Sequence, residues 1–151
     1  GEKMTYRLAK FLIESGVSVV PLANKTPIIK WKRLQNERLT PEELYLYFAR
    51  QYSRVAFVTG NISGFVVVDA DDAEAVKFVK NYCPFSPMQR QTKRGQHFYF
   101  KHPGTTVPNA AKINGLNLDI RGDGGYVVVD QSLTNFSRDL PEFKMEWLNH
   151  G

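Results

Sequence analysis

Two aspartates that directly follow an apolar run, Asp69 and Asp71, are the residues of this chain best suited to chemistry. The run, Phe65–Val68, is aromatic and β-branched, which is typical of a buried strand. Because strand side chains alternate between faces, Asp69 and Asp71 are expected on one face and Asp72 on the other. Two carboxylates held this close repel each other unless a cation lies between them. The pattern therefore predicts a divalent metal site.

A second segment, residues 93–97, carries groups that suit phosphates. Lys93 and Arg94 are cationic, and His97 opens a strand-like aromatic run. Gly95 between them lets the backbone approach a ligand closely. We expect Lys93 and Arg94 to neutralise a triphosphate and His97 to donate a hydrogen bond to it.

A third segment repeats the arrangement of a strand that ends in a carboxylate. Asp119 ends the strand-like residues 116–120 and is followed by Arg121 and the glycine-rich residues 122–125. Mg²⁺ and Mn²⁺ prefer oxygen ligands, and carboxylate sites leave room for substrate phosphates. Two ions held by Asp69, Asp71 and Asp119 could activate an attacking hydroxyl and stabilise a departing pyrophosphate, so the three segments together predict nucleotidyl transfer.

Each motif also has a purely structural interpretation. An Asp-x-Asp triplet also caps helices, and a histidine in a strand is more often a packing residue than a ligand. Asp119 could simply pair with Arg121, and residues 122–125 could be a hairpin turn. It is the order of the three motifs that favours the functional interpretation.

The elements that must position these residues follow from local patterns. Helices are predicted from a Thr5 cap to Gly16, from the Thr40-Pro41-Glu42-Glu43 start to about Arg50, from an Asp72 cap to Lys80, and from Pro141 to about Leu148. Strands are predicted at residues 17–20 (closed by Pro21), 54–58, 65–69, 97–100, 116–120 and 126–129. Strands 54–58 and 65–69 are expected to be neighbours in one sheet. The pattern favours an α/β (α+β) fold in which a mixed β-sheet is flanked by helices.

Length and composition favour one folded domain over residues 1–151. The 42% hydrophobic content argues against disorder, and the net charge of +5 is compatible with a polyanionic partner. The single cysteine, Cys83, excludes an internal disulfide and a cysteine-based zinc knuckle within these residues. No stretch is apolar enough to cross a membrane, and a cytoplasmic location, in a prokaryotic cell or an infected host, is the default expectation.

The three motifs together resemble those of the archaeo-eukaryotic primase superfamily. The resemblance lies in the apolar strand into Asp69-Ala70-Asp71, in Gly95-Gln96-His97 before an aromatic strand, and in Leu118-Asp119 followed by the glycine loop. It is closest to the primase-polymerase (Prim-Pol) domain of bifunctional replication proteins of plasmids, phages and mobile elements. Residues 16–21, 25–27, 31 and 59–64 are also similar to that family, so the resemblance covers most of the chain.

The resemblance implies a primase-type catalytic core. Asp69, Asp71 and Asp119 match the metal-binding carboxylates of the family, and His97 matches the histidine that contacts the incoming nucleotide. Arg121 lies where a cation can face the phosphates. The implied cofactors are Mg²⁺ or Mn²⁺ in a two-metal site. The implied partners are nucleoside triphosphates and a single-stranded DNA template with its primer, and the implied context is a longer replication protein that includes a helicase or helical domain.

This sequence departs from the family pattern at three places. Asp71 stands where many relatives carry a glutamate, Gln96 stands where a small residue is common, and residues 130–132 (Asp-Gln-Ser) replace a proline-containing ending. Two other functions stay open on the sequence alone. One is a nucleic-acid-binding module with vestigial carboxylates, and the other is a glycosyl or nucleotidyl transferase that uses Asp-x-Asp with a sugar nucleotide.

Overall fold

The computed structural model describes residues 3–150, and in it helices pack against two β-sheets. The helices are α1 (Met4–Glu14), α2 (Pro41–Leu44, continued by a π-helical segment over Tyr45–Arg50) and α3 (Ala73–Tyr82), with 3₁₀ turns at Lys32–Gln35, Ile113–Gly115 and Met145–Leu148. The strands are β1 (Val19–Ala23), β2 (Thr26–Pro27), β3 (Arg54–Val58), β4 (Phe65–Ala70), β5 (Gln89–Gln91), β6 (Gln96–Lys101), β7 (Leu118–Arg121), β8 (Tyr126–Val129) and β9 (Leu133–Thr134).

The strands form two separate sheets. Sheet one has the order β2-β1-β3-β8, and sheet two has the order β7-β4-β6-β5-β9. All pairings between these strands are antiparallel. The predicted α+β class is therefore confirmed, with two antiparallel sheets where the sequence predicted one mixed sheet. The site residues all belong to sheet two or to the loops at its end.

Sheet two is buried on both faces, and each face packs into a different core. Val67 and Tyr99 point into a core shared with sheet one, α1 and α2, where the rings of Phe57, Phe65 and Tyr99 meet edge to face. The alternate side chains pack against α3 and the C-terminal 3₁₀ turn, and the sheet contributes Val66, Val68, Ala70, Phe98, Phe100, Leu118 and Ile120 to that second core. The two-residue period of β4 and β6 thus assigns the odd-numbered residues, including Asp69 and His97, to the face of Val67 and Tyr99.

Helix α2 begins as the sequence predicts. The Thr40 side chain accepts a hydrogen bond from the Glu43 backbone N–H (3.2 Å), and the Glu43 carboxylate accepts one from the Thr40 backbone N–H (3.0 Å). Pro41 occupies the first turn. This reciprocal cap satisfies two donors that the helix itself leaves free, so the capping-box prediction is confirmed.

Two predicted boundaries in the N-terminal part are wrong. Thr5 lies inside α1, whose N-cap is Lys3, while the predicted stop at Gly16 (φ 92°) is confirmed. Pro21 does not close its strand but lies within β1 opposite Val55. A proline is tolerated there because its nitrogen faces the short edge strand β2, at the end of the ladder, where the Pro21 carbonyl accepts a hydrogen bond from the Ile28 N–H (3.1 Å) and only the reciprocal bond is missing.

Two further predictions fail for reasons of tertiary structure. Strands β3 and β4 are not neighbours, because the link between them, residues 59–64, carries the chain from sheet one to sheet two. Gly60 (φ 96°) and Gly64 (φ 84°) provide the left-handed backbone for that change of direction. Near the C-terminus, Pro141 does not begin a helix; the segment is extended beside Lys101, and only Met145–Leu148 forms a 3₁₀ turn.

Among residues 3–150, no helix is both long and apolar enough to cross a membrane.

Candidate active site

Three of the predicted site residues lie side by side across sheet two. Asp69 on β4 is the register partner of His97 on β6 and of Asp119 on β7. Residues directly opposite each other on neighbouring strands project from the same face, with their Cβ atoms about 5 Å apart. Residues separated by up to fifty positions in the sequence thus form one row on one face, which we call the acidic row.

Direct contacts connect the members of the acidic row. Nε2 of His97 lies 3.4 Å from Oδ1 of Asp69. Arg121 projects from the same face of β7 as Asp119, and its Nη2 lies 3.1 Å from Oδ2 of Asp119 and 3.7 Å from Oδ2 of Asp69. The Arg121 guanidinium therefore serves as a cation shared by two carboxylates.

The charge state of Asp69 follows from these neighbours. Burial alone would raise the pKa of Asp69, since its side chain is only 19% exposed. The hydrogen bond and charge of His97, together with the charges of Arg121 and Arg90, outweigh burial and hold that pKa below its usual value. Asp69 is therefore an ionised carboxylate at neutral pH, which a metal ligand must be.

Asp119 is held at both of its oxygens. Its Oδ2 faces Arg121, and its Oδ1 accepts a hydrogen bond from the backbone N–H of Lys112 (3.1 Å). Lys112 has a left-handed backbone (φ 56°) at the start of a short 3₁₀ turn. The sequence left a pairing of Asp119 with Arg121 open as a structural interpretation. This pairing is present, and it places the guanidinium next to the acidic row.

Asp71 lies beyond the end of β4 and is not part of the row. Its carboxylate pairs with Arg94, and its side chain is 43% exposed. Asp72 points elsewhere, as predicted: its Oδ1 caps α3 through the Ala75 N–H (2.8 Å). The structure thus brings Asp69, His97, Asp119 and Arg121 together and leaves Asp71 at the rim.

The turn between β5 and β6 carries the remaining predicted cations. Lys93 and Arg94 are exposed in this turn. Gly95 lies so close to the end of β4 that a Cβ at this position would be 1.9 Å from the carbonyl oxygen of Ala70. This close approach brings Arg94 within reach of Asp71, so the absence of a side chain at Gly95 determines where the turn lies relative to the carboxylates.

Arg90 lies in line with the row and was not predicted from the sequence. It lies on β5 as the register partner of His97, so it extends the acidic row by one strand. Its guanidinium makes a two-point contact with Asp130, with Nε 3.3 Å from Oδ1 and Nη2 3.0 Å from Oδ2. Asp130 also accepts hydrogen bonds from Ser132, and its pKa is lowered chiefly by Arg90. The three-residue polar strand Gln89–Gln91 contains no pattern that could have revealed this register.

Two buried polar atoms near the row have no hydrogen-bond partner among the described residues: Nδ1 of His97 and the hydroxyl of Tyr99. Burial raises the pKa of Tyr99, so the hydroxyl stays protonated. Buried polar groups are satisfied in most proteins, and exceptions concentrate at functional sites. One ring nitrogen of His97 thus faces Asp69, and the other is buried without a partner among the described residues.

The donor set of the acidic row fits a divalent cation. Asp69 and Asp119 supply hard carboxylate oxygens that already share one cation, Arg121. Within residues 3–150 there is no group of three or more His, Cys, Asp or Glu side chains placed to hold an ion by themselves. Mg²⁺ is usually bound by one or two carboxylates together with water and substrate phosphates. The residues therefore fit an ion that arrives with a phosphate ligand.

A second aspartate–histidine cluster, Asp123 with His102, lies at the glycine loop, residues 122–125. Asp123 accepts hydrogen bonds from the backbone N–H groups of Asn61 and Val107, both at 2.8 Å. Nε2 of His102 lies 3.1 Å from its Oδ1, and Nδ1 of His102 accepts from the Gly104 N–H. Burial would raise the pKa of Asp123, but these donors lower it. The cluster fixes the loop that follows Arg121.

Comparison with known proteins gives one family. The family model described as "Bifunctional DNA primase/polymerase, N-terminal" matches residues 9–150. The matched region includes both sheets and the whole acidic row. No curated protein matches the chain.

Proposed function

The chain belongs to the family of N-terminal domains of bifunctional DNA primase/polymerases, and from this premise we propose that it catalyses template-directed nucleotidyl transfer. The 3′-hydroxyl of a primer or first nucleotide attacks the α-phosphate of an incoming nucleoside triphosphate. A new P–O bond forms, the bond to the β-phosphate breaks and pyrophosphate leaves. Family membership supports a primase/polymerase nucleotidyltransferase in general; the template, primer and metals belong to the proposal.

One observation carries the proposal: Asp69, His97 and Asp119 form a single row across β6, β4 and β7. The three motifs of the resemblance are far apart in the sequence, and only this register brings them to one place. A glycosyl or nucleotidyl transferase acting on a sugar nucleotide would need the Asp-x-Asp pair but would have no use for this row.

Asp69 and Asp119 are the residues we assign to the metal, with Asp71 completing the set from the rim. Bound Mg²⁺ or Mn²⁺ would supply two effects, a lower pKa of the attacking hydroxyl and neutralisation of charge on the departing pyrophosphate. The protein contributes ionised carboxylates on rigid strands. Their separation is determined by the backbone ladder of sheet two.

The nucleotide is assigned to the cations and the histidine around the row. Arg121, Arg94 and Lys93 would pair with the phosphate oxygens, since guanidinium groups match phosphate geometry at two points. His97, whose ring is almost completely buried between Asp69 and Arg90, would donate a hydrogen bond from a fixed position. Positioning and charge stabilisation of this kind account for most of the catalysis in phosphoryl transfer.

The proposed partners are a single-stranded DNA template with its primer and the nucleoside triphosphates. The net charge of +5 supports a polyanionic partner. We further propose that the domain works in the cytoplasm as part of a longer replication protein that carries a helicase or helical domain.

Primer extension on a single-stranded DNA template, with Mg²⁺ or Mn²⁺, tests the proposal. The chain is compared with an Asp69→Asn/Asp119→Asn double variant, which keeps the shapes of both side chains and removes both charges. Metal-dependent extension by the parent chain alone is the expected result. If both chains bind the template equally and neither extends the primer, the domain is a nucleic-acid-binding module and the proposed catalysis is wrong.

A further inference from the structure

We propose that Arg121 and Arg94 are exchangeable counterions: they neutralise the site carboxylates in the free protein and transfer to the triphosphate when a metal–nucleotide complex binds. This inference rests on the proposed function. It goes beyond that function because it predicts how metal and nucleotide binding depend on each other. The relevant contacts are the two arginine–carboxylate groups at the end of sheet two.

The positive charge of Arg121 lies between Asp69 and Asp119, where the charge of a metal shared by these two carboxylates would also lie. Its Nη2 is 3.1 Å from one carboxylate and 3.7 Å from the other. A divalent ion bound by the same two carboxylates would repel the guanidinium strongly at such distances. The side chain is 37% exposed, so it has an open path away from the carboxylates. Arg121 and a metal therefore compete for the same oxygens.

Arg94 has the same relation to Asp71. The two side chains pair with each other at the rim of the site, and they are 72% and 43% exposed. Exposed ion pairs contribute little to stability, so this pair separates at small cost. Both arginines are predicted to bind phosphate. In this structure each of them instead pairs with a carboxylate that is predicted to bind metal.

Arg90, in the same region, is an arginine that cannot exchange its partner in this way. Its side chain is only 11% exposed, and it contacts both oxygens of Asp130. Asp130 lies on the connection from β8 to β9 and is itself bound by Ser132. Separating this pair would leave a buried charge without a partner, which is costly. Arg90 is therefore fixed, whereas Arg121 and Arg94 are free to change partners.

A triphosphate that arrives with its metal resolves the competition in one step. The carboxylates exchange arginine for metal, and the arginines exchange carboxylate for phosphate, so no charge is left without a partner. A metal alone must displace Arg121 into water, and a nucleotide alone must detach it from two carboxylates. Metal and nucleotide should therefore strengthen each other's binding, and by linkage the effect is equal in both directions.

The experiment measures Mn²⁺ binding and nucleotide binding separately, on the whole chain without DNA. Binding of Mn²⁺ alone is followed by electron paramagnetic resonance, from the loss of the free-ion signal. Binding of dATP in the presence of Mn²⁺ is followed by equilibrium dialysis. The variants are Arg121→Gln and, as a matched control for the loss of one positive charge, Lys77→Gln on the exposed surface of α3.

We expect Arg121→Gln to change the two affinities in opposite directions. Removing the competing cation should raise the affinity for Mn²⁺ alone about fivefold, the effect of one partly exposed ion pair. Removing the phosphate partner should lower the affinity for dATP with Mn²⁺ about tenfold. Lys77→Gln should change neither. A merely structural role for Arg121 would lower both affinities together.

A second variant covers the case in which Arg121→Gln does not fold, which thermal unfolding detects. Arg121→Lys keeps the charge but loses the planar, two-point contact. We expect it to keep Mn²⁺ affinity near that of the parent and to lower dATP affinity less than glutamine does.

The inference is wrong if a folded Arg121→Gln variant binds Mn²⁺ alone no better than the parent, even where the parent extends primers. If the parent binds neither Mn²⁺ nor Mn²⁺ with dATP and extends no primer, the proposed function itself fails.

Discussion

Asp69–His97 and Asp123–His102 are two aspartate–histidine pairs at opposite ends of sheet two, and their partners differ in kind. Asp123 accepts hydrogen bonds from two backbone N–H groups as well as from His102. Among the described residues, the groups that face Asp69 are side chains: His97 and Arg121 in contact, with the charge of Arg90 nearby. Backbone donors cannot leave without rearranging the chain, whereas side-chain cations can. The same two residue types thus build a fixed clamp in one place and an exchangeable site in the other.

Residue type alone thus does not separate structural from functional carboxylates. The pKa of both Asp69 and Asp123 is lowered by neighbouring donors. Only the identity of those donors differs. A test of the comparison must therefore change each carboxylate in the same way and measure activity and stability together.

Catalysis should respond most strongly to a change in the acidic row. Asp69→Asn should reduce primer extension about a hundredfold or more, because it removes a charged metal ligand and leaves an amide of the same shape. It should lower the free energy of unfolding by only about 1 kcal/mol, since the charges that remain are partly exposed. Primer extension and urea unfolding on the same preparation measure both. A variant that keeps full activity would remove Asp69 from the site.

The matched change at the clamp should act on stability. Asp123→Asn replaces an acceptor of several hydrogen bonds by an amide whose NH₂ must face a donor. We expect a loss of about 3 kcal/mol in the free energy of unfolding. Urea unfolding measures it, and a loss below that of Asp69→Asn would contradict the distinction between the two carboxylates.

The two histidines should differ in the same way as their aspartates. His97→Ala should raise the apparent KM for the nucleotide about tenfold and change kcat less, because its proposed contact is with bound nucleotide. His102→Ala should leave KM unchanged and lower the free energy of unfolding by about 2 kcal/mol, since it removes a buried, fully hydrogen-bonded ring. Steady-state kinetics at varied nucleotide concentration, paired with urea unfolding, separates the two outcomes.

The two carboxylates should also affect, more weakly, how stability responds to acid. A carboxyl whose pKa is lowered in the folded state binds fewer protons there than in the unfolded chain, so its contribution is present at neutral pH and is lost as pH falls. Asp69, Asp72, Asp123 and Asp130 are all of this kind. Stability should fall between about pH 5 and pH 2, and the fall should be shallower in Asp123→Asn than in the parent. Urea unfolding at a series of pH values tests this, and parallel curves for the two proteins would contradict it.

Most secondary structure of this chain could be predicted from local patterns. The Thr40 capping box, the Asp72 cap and the apolar strand at Phe65 follow rules that act within a few residues, and all three are present. The predictions at Pro21 and Pro141 failed because pairing with β3 and with Lys101 determines the backbone there, and helix α1 begins two residues before the start predicted from a Thr5 cap. Which strands are neighbours depends on long-range packing, so the change of sheet between β3 and β4 could not be predicted from the sequence.

The candidate site also combines features that local sequence patterns predict with features that depend on long-range packing. The aspartates, His97 and Arg121 could be found from motif order and family resemblance, but their mutual distances depend on the registers of β4, β6 and β7. Arg90 joins the row only because β5 pairs with β6 in one register, and no local pattern in three polar residues indicates this.

The close contact at Gly95 has a consequence for which sequences this fold accepts. Any other residue would place a Cβ against the Ala70 carbonyl, at the point where the turn meets the strand that carries Asp69. Substitutions at Lys93 or Arg94 leave the backbone free to keep its path, but a substitution at Gly95 does not. The backbone of this turn therefore accommodates side chains at its two exposed positions, where cations can reach a ligand, and excludes one at the neighbouring glycine.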